Sequence, residues 1–317
     1  MENKELGIIF ENAGKDANSL VYSVIKRRLH LSDYSKIIKD EILKETGEDN
    51  IPDALKNHES AKKIFDGFIE KLPDNYSDGS DEISFIKESI NDCDIFYICS
   101  EMLDTYDSVS DKKNAEIYFG NQGQNRKSDK NENFIAYVRG PLSNTATEKF
   151  AKVLGNSSPY IKDSYNTLFK DAEELENGYA VIPVENTNDG RLNYFRNMAD
   201  RNELYTVLSC EVEGAEDVTT FDLVSSKLKI FDYEGELYLR FRITFDKLDD
   251  MRRLQSILAY CNAVSENVFN ISAGESSREN SFDFIYNVTN ANLMLIYCLL
   301  KFMFPQYVTC GIYNKVD

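Results

Sequence analysis

Apolar residues in the first part of the chain recur at spacings near three, four and seven, which is the pattern of one apolar face on a helix. They are Leu6, Ile9, Ala13, Ala17, Leu20, Val24, Leu31, Ile38 and Ile42. The pattern predicts a helix of about forty residues that ends just before Gly47. A helix of this length needs a partner along its apolar face, because helix propensity alone does not hold it.

Two shorter helices are predicted before the pattern changes. One follows Pro52 and stops at Pro73, and the next carries apolar residues at helical spacing over 83–102. Residues 120–133 are almost free of apolar side chains, which is typical of a linker. We therefore expect an all-helical domain over residues 1–118 and a linker over 119–132.

Beyond the linker, short apolar strands alternate with amphipathic helices. The predicted strands are "FIAYV" at 134–138, the apolar run that begins at Tyr179, and segments 204–214 and 219–226. The predicted helices surround Phe150, cover 165–175 and begin near Arg191. Alternation of this kind predicts an α/β layer over residues 133–226.

Residues 227–317 follow a different order of elements. "LYLRFRITF" at 237–245 alternates with period two, a helix follows, and strands are predicted at 268–274 and 281–289. A helix over 290–304 and a strand over 307–313 complete the chain. This β-α-β-β-α-β order predicts a ferredoxin-like plait.

Charge and composition narrow the classes of function. Acidic residues outnumber basic ones 54 to 36, and the resulting net charge of −18 argues against a nucleic-acid partner. Two histidines and six cysteines without a CxxC pair argue against a metal site, and we expect no cofactor. The start of the chain lacks a signal-peptide pattern, and the apolar segment 291–304 is too short for a bilayer. We therefore expect a cytoplasmic protein that makes no contact with a membrane.

The clearest candidate for chemistry is the end of the strand in "YAVIPVENTNDG", residues 179–190. Glu185, Asn186 and Thr187 follow a buried run directly. In open α/β sheets, ligands bind at the carboxyl ends of strands, so these side chains could form the floor of a site. The other interpretation is a strand that ends in a turn of polar residues.

Two segments resemble the first lobe of prephenate dehydratases. That family begins with a strand ending in Gly-Pro, like "FIAYVRGP" here, and later carries a Val-Pro-Ile-Glu-Asn-Ser segment, like "VIPVENT". The order of all three parts is similar to the bifunctional chorismate mutase/prephenate dehydratase. The resemblance implies a multidomain fold: a mutase-like long-helix bundle, a reduced single-lobe α/β domain and an ACT-like plait. It implies conversion of prephenate to phenylpyruvate, water and carbon dioxide.

The resemblance also implies roles for particular residues. The family's Thr-Arg-Phe motif matches Thr219-Thr220-Phe221, which implies Thr219 as the acid that acts on the departing hydroxyl, with Thr187 as a second catalytic residue. Glu185, Asn186 and Asn144 would bind substrate. Arg139, at the end of the first strand, could face a substrate carboxylate. The chain departs from the family at Thr220, which replaces the arginine, and at residues 191–218, where the family has a second lobe.

The outer parts carry implied ligand residues as well. Cations that would bind chorismate are Arg28, Lys39 and Lys56. Residues that resemble the effector motif for L-phenylalanine are Glu275, Ser276 and Arg278. A homodimer through the long helices or the plaits is expected.

Three functions remain open on the sequence. The chain could be a dehydratase. It could be a catalytically degenerate ligand sensor or scaffold, which the missing lobe and arginine favour. It could also retain mutase activity alone.

Overall fold

The computed structural model describes residues 39–40, 42–45, 47, 112–120, 133–174, 178–245, 248–271, 280–304 and 306–317. The chain divides into two compact units. The first contains Met1–Val109 and Cys298–Pro305, and the second contains Ser110–Tyr297 and Gln306–Asp317.

In the first unit, residues 39–40 and 42–45 are helical. Gly47 has a φ of +68°, and its amide donates to the carbonyl of Leu43 at 2.9 Å. A glycine in this left-handed conformation closes the last turn of a helix. The predicted end of the first helix before Gly47 is confirmed.

The remaining elements are numbered here in chain order. The helices are α1 Lys112–Phe119, α2 Pro141–Leu154, α3 Tyr165–Glu174, α4 Asn193–Arg201, α5 Leu248–Tyr260 and α6 Leu293–Met303. The strands are β1 Asn133–Val138, β2 Ser157–Lys162, β3 Gly178–Asn186, β4 Gly190–Arg191, β5 Tyr205–Glu213, β6 Val218–Ser225, β7 Leu237–Phe245, β8 Val264–Asn270, β9 Asn280–Asn287 and β10 Val308–Val316. In the described part of the chain, no helix combines the length and apolar character needed to cross a bilayer.

All ten of these strands belong to one mixed sheet, in the order β2-β1-β3-β6-β5-β10-β7-β9-β8, with β4 paired to β3. In the first half, β1 is parallel to β2 and β3, and β6 is antiparallel to β3 and β5. In the second half, β10, β7, β9 and β8 are all antiparallel, and their elements follow the predicted β-α-β-β-α-β order. Parallel pairing of β5 with β10 joins the halves.

The helices α2, α3 and α4 bury apolar faces at helical spacing. In α2, Ala146, Phe150 and Leu154 recur on one face and are buried. A separate core cluster joins α3 and α4 to alternate residues of β3; its buried members are Ala136, Leu168, Phe169, Ala172, Ala180, Ile182, Val184, Ala199, Leu204 and Val224. Pro183 lies beyond the end of the pairing with β1 at Ala180 and beside a register shift in the pairing with β6, and prolines inside sheets occur at such irregularities.

Three strands differ from the sequence prediction. β4 was not expected, because a helix was predicted to begin near Arg191, and the helix begins at Asn193 instead. β2 was not expected, since "SSPYIK" contains Pro159 and little apolar alternation. It pairs only with β1, and an edge strand tolerates proline. β8 begins at Val264 and not at Val268, because its first four residues are exposed on the opposite edge and only Val264 among them is apolar, so they show no apolar alternation. The predicted domain boundaries stay predictions, and most of the predicted linker lies outside the described residues.

The β5–β10 junction requires a glycine at position 311. A Cβ on Gly311 would lie 2.4 Å from the carbonyl oxygen of Thr206 and 2.9 Å from its amide nitrogen. These are backbone atoms of the paired strand, and they cannot move aside without breaking the pairing. The register of β10 also shifts beside Gly311 on both of its neighbours.

We predict that Gly311→Ala lowers the free energy of unfolding by about 1–3 kcal/mol, because the added methyl group forces the two strands apart. Urea denaturation measures the change. Gly235→Ala is the matched control: its Cβ would meet the ring of Tyr233 at 3.3 Å, and a side chain can shift. Equal losses in the two variants would contradict the proposed close approach.

Candidate functional site

The predicted site residues on β3 and β6 meet at the ends of these strands. Asn186 pairs in register with Thr219, and Glu185 pairs with Thr220. The Asn186 amide nitrogen donates to the Thr219 hydroxyl at 2.9 Å. We call residues 185–187 and 217–220 the β3–β6 corner. The structure therefore brings together two segments whose residues Asn186 and Thr219 are 33 positions apart.

The side chain of Asn186 also builds the turn that follows β3. Its Oδ1 accepts from the amides of Asn188 at 2.9 Å and Asp189 at 3.3 Å. Its Nδ2 donates a second time, to the Asp217 carboxylate at 2.6 Å. The amide is thus used on both sides, and it is only 8% exposed. Asn186 holds a turn as well as contacting Thr219.

The two threonines of the corner differ in exposure. Thr187 is exposed, and its amide and hydroxyl bond the carbonyl and amide of Val218, both at 3.0 Å. Thr219 is 5% exposed and accepts from Asn186. Among the described residues no acceptor takes the Thr219 hydroxyl proton, so that proton is available to donate. Glu185 is exposed beside them.

Arg139 and Asn144 flank the junction of β1 and α2. Both are exposed, Arg139 just after β1 and Asn144 in the first turn of α2. Ser143 donates to the carbonyls of Val138 at 2.6 Å and Gly140 at 3.1 Å. No side-chain hydrogen bond caps the start of α2. Within the described residues, no hydrogen bond or ion pair joins Arg139 or Asn144 to the β3–β6 corner.

The remaining predicted ligand residues are not tested by the structure. Lys39 is helical and belongs to the first unit. The others lie outside the described residues; they are Arg28, Lys56, Glu275, Ser276 and Arg278. Within the described ranges, no group of three or more histidine, cysteine, aspartate or glutamate side chains is arranged to hold a metal ion.

A buried charge cluster, which the sequence interpretation missed, lies on one face of β7 and β9. Its members come from four elements: Arg191 of β4, Arg196 and Asp200 of α4, Arg240 and Arg242 of β7, and Asp283 of β9. We call these six residues the arginine cluster. Arg240 and Arg242 are two apart in β7, so both project from the same face.

Asp283 is the centre of the arginine cluster. Its side chain is fully buried and accepts from Arg191, from Arg240 at 3.0 Å and from Arg242 at 3.1 Å. Asp200 binds Arg240 at 3.1 Å and Arg242 at 2.6 Å. The guanidinium of Arg191 also stacks 3.9 Å from the ring centre of Phe269. The cluster therefore ties β4 and α4 to the plait.

The pKa of Asp283 reflects two opposing effects. Burial raises the pKa of a carboxyl group, but the positive charges of Arg240, Arg242 and Arg191 together lower it well below its ordinary value. For Arg191 the balance is the reverse: burial, followed by the charge of Arg196, lowers its pKa despite the opposing effect of Asp283.

One signal in the sequence indicated part of this cluster. Arg191 lies just before α4, where the positive end of the helix dipole disfavours a cation unless an anion is near. Asp283 is that anion. A second signal is the pair of arginines at alternate positions of the otherwise apolar strand "LYLRFRITF". Such a pair predicts buried acidic partners, and neither Asp200 nor Asp283 could be located from it.

Comparisons with known proteins give structural matches only. No family model matches the chain, and no curated protein sequence matches it. Prephenate dehydratase from Streptococcus mutans aligns with 58% of this chain and 100% of its own, at 16% identity and a TM-score of 0.48. GqqA, described as a quorum-quenching acylase, aligns with 57% of this chain at 15% identity and a TM-score of 0.44. Prephenate dehydratase from Arthrobacter aurescens, in complex with L-Phe, aligns with 57% of this chain at 11% identity and a TM-score of 0.45.

Asn186→Ala is expected to lower the free energy of unfolding by about 1–3 kcal/mol, because two amides and the Asp217 carboxylate lose a buried partner. Thermal and urea unfolding measure this loss. Asn188→Ala, an exposed neighbour in the same turn, is the control and should change stability little. A loss at Asn186 no larger than at Asn188 would show that the turn does not depend on the Asn186 side chain.

Asp283→Asn is expected to lower the free energy of unfolding by about 3–5 kcal/mol, because it leaves three buried guanidinium groups without their shared carboxylate. Asp232→Asn removes an exposed carboxylate that, within the described part of the chain, binds only Lys112 at 3.4 Å, and it should have little effect on stability.

The stabilisation by Asp283, measured as the difference between wild type and Asp283→Asn, should depend on pH. The folded-state pKa of Asp283 lies below its ordinary value of 3.8, so its stabilisation is complete well above that pH and is lost as the pH falls toward the folded-state value. The difference in unfolding free energy between wild type and Asp283→Asn should therefore shrink below about pH 4. A constant difference from neutral to acid pH would exclude this ionisation.

Proposed function

We propose that this chain is a relative of prephenate dehydratase and converts prephenate to phenylpyruvate at the β3–β6 corner. The observation that carries the proposal is the 2.9 Å hydrogen bond between Asn186 and Thr219. It joins the two segments that resemble separate dehydratase motifs, "YAVIPVENTNDG" and Thr219-Thr220-Phe221.

The reaction has a defined balance of bonds and charge. The bond between the ring and its carboxylate breaks and releases carbon dioxide. Its electron pair completes the aromatic ring as the carbon–oxygen bond of the ring hydroxyl breaks, and that hydroxyl takes one proton to leave as water. The site must therefore donate a proton to the departing oxygen and hold two carboxylates.

Thr219 is suited to donating the proton to the departing oxygen. Its oxygen accepts from Asn186, which orients the hydroxyl and leaves the proton directed away from that bond. Thr219 would donate this proton to the departing oxygen and recover one from solvent. Thr187 would assist, and Glu185 and Asn186 would position the substrate.

Arg139 and Asn144 are suited to holding the substrate carboxylates. The first amides of α2 lack intrahelical partners, and donors of this kind bind anions. The exposed guanidinium of Arg139 lies just before that helix start and could pair with a substrate carboxylate.

A second candidate is a catalytically inactive relative that binds a small ligand or serves as a scaffold. The four hydrogen bonds of the Asn186 amide favour it, since they suffice to explain this residue as the centre of a turn. Thr220, in place of the family's arginine, favours it too.

Other parts of the proposal rest on the sequence resemblance. The mutase-like domain would bind chorismate through Arg28, Lys39 and Lys56. The ACT-like plait would bind L-phenylalanine through Glu275, Ser276 and Arg278. Assembly as a cytoplasmic homodimer, and mutase activity without dehydratase activity, are the remaining proposals.

The purified chain is expected to form phenylpyruvate from prephenate. Thr219→Val should reduce kcat at least about a hundredfold, because it removes the proton donor, and Thr219→Ser should restore most of the activity. Thr309→Val, the same change in β10, is the control and should leave kcat unchanged.

Calorimetric titration with prephenate separates the two candidates. Turnover lost in Thr219→Val and restored in Thr219→Ser supports the dehydratase. Binding of prephenate without turnover supports the inactive relative. Absence of both would contradict both candidates.

A further inference from the structure

We propose that the arginine cluster is a binding site for a small oxyanion, such as a carboxylate or a phosphate. The proposed ligand would lie against Arg191, Arg196 and Arg240, on the face of the plait that meets α4. Arg191 pairs in register with Glu185 of the β3–β6 corner, so the two sites are neighbours, but the oxyanion site does not depend on the dehydratase proposal.

The first support is the balance of charge. Three guanidinium groups, those of Arg191, Arg240 and Arg242, share the carboxylates of Asp200 and Asp283. Arg196 adds a fourth positive charge, which lowers the pKa of Arg191, and among the described residues it forms no ion pair with either carboxylate. One further buried acid, Asp222, acts with Arg196 and Arg240 on the pKa of Tyr313, so it lies within electrostatic range. Its carboxylate accepts from the hydroxyls of Thr206 at 3.3 Å and Ser209 at 2.8 Å. The four guanidinium groups thus face three carboxylates, those of Asp200, Asp222 and Asp283, in a chain of net charge −18. The exposed Glu266 also acts on Tyr313 from the solvent side.

The second support is a set of buried donors that nothing in the described chain accepts from. They are the Nε atoms of Arg191, Arg196 and Arg240, and Nη1 of Arg196. Arg196 is 6% exposed and Arg240 is 1% exposed. The cluster offers one unpartnered acceptor, Oδ1 of Asp200, against these four nitrogens. Buried charged donors are ordinarily paired, so an acceptor with several oxygens fits this cluster.

The remaining unpartnered polar atoms do not belong to this set. They are the hydroxyl of Tyr286 and Oδ1 of Asn314. Tyr286 lies three residues from Asp283 along β9, so the two side chains project from opposite faces of the sheet. Asn314 pairs with Leu237, which is three residues from Arg240 in β7, so Asn314 also projects from the face opposite the arginines. The excess of donors is therefore confined to the face that meets α4.

Guanidinium chemistry and access define the class of ligand. A guanidinium fork matches the oxygens of carboxylate and phosphate groups, and neither a halide nor a cation would satisfy several forks at once. The side chain of Arg242 is 25% exposed and that of Arg191 is 12% exposed, so the cluster opens to solvent beside these two residues. A small anion could enter there and reach the buried nitrogens of Arg196.

The test is thermal unfolding of the full chain in Tris-chloride, titrated with sodium phosphate or sodium acetate while sodium chloride holds the ionic strength constant. We expect one of the anions to raise the Tm by about 5 °C when its concentration is about a hundredfold above its Kd. A response to phosphate alone identifies a phosphate-type ligand, and a response to acetate identifies a carboxylate. No response to either anion, up to about 10 mM, overturns the proposal.

The variant Arg196→Gln tests whether Arg196 binds an anion or only supports the fold. It removes a buried charge that lacks partners for two nitrogens, so its Tm in chloride alone should equal or exceed that of the wild type, and the shift with anion should disappear. Arg201→Gln, an exposed arginine of the same helix, should keep the shift. A Tm lowered in chloride, or an unchanged shift in Arg196→Gln, would show that Arg196 is held by the protein itself. Arg196→Lys, which keeps the charge but not the guanidinium fork, should retain part of the shift with anion.

Discussion

The parallel pairing of β5 with β10 is the constraint on which the arrangement of the second unit depends. β5 belongs to the α/β half of the sheet and β10 closes the plait, and their pairing makes one sheet of the two. The absence of a side chain at Gly311 permits the approach. Once the sheet is continuous, β4 and α4 lie over the face of β7 and β9 and supply three members of the arginine cluster. A local steric feature thus creates the setting for the buried charges.

The two polar sites of this unit differ in how their hydrogen bonds are balanced. At the β3–β6 corner, Asn186 uses its amide on both sides, and the free group is the hydroxyl proton of Thr219. At the arginine cluster, the donors exceed the acceptors. The corner is therefore suited to donating one proton from an ordered hydroxyl, and the cluster is suited to holding negative charge.

Much of the fold could be predicted from the sequence, because its signals are local. Gly47 marks a helix end, the alternation over 237–245 marks β7, and the order of elements in the plait follows from apolar periodicity. The resemblance named Asn186 and Thr219 as candidate residues, and their pairing was found in the structure. The features that were missed are nonlocal or lack apolar contrast. β2 is an edge strand with a proline, and the β5–β10 pairing joins residues about a hundred positions apart, which no periodicity encodes. Asp200 and Asp283 become partners of arginines only after that pairing forms.

The most direct measurement of the central claim is a crystal structure of the full chain grown with the anion that stabilises it most. We predict that the anion lies within hydrogen-bonding distance of the Arg196 guanidinium and of Nε of Arg191 or Arg240, with Asp283 still bound to its three arginines. A structure in which these nitrogens donate to protein acceptors, with no anion among them, would contradict it.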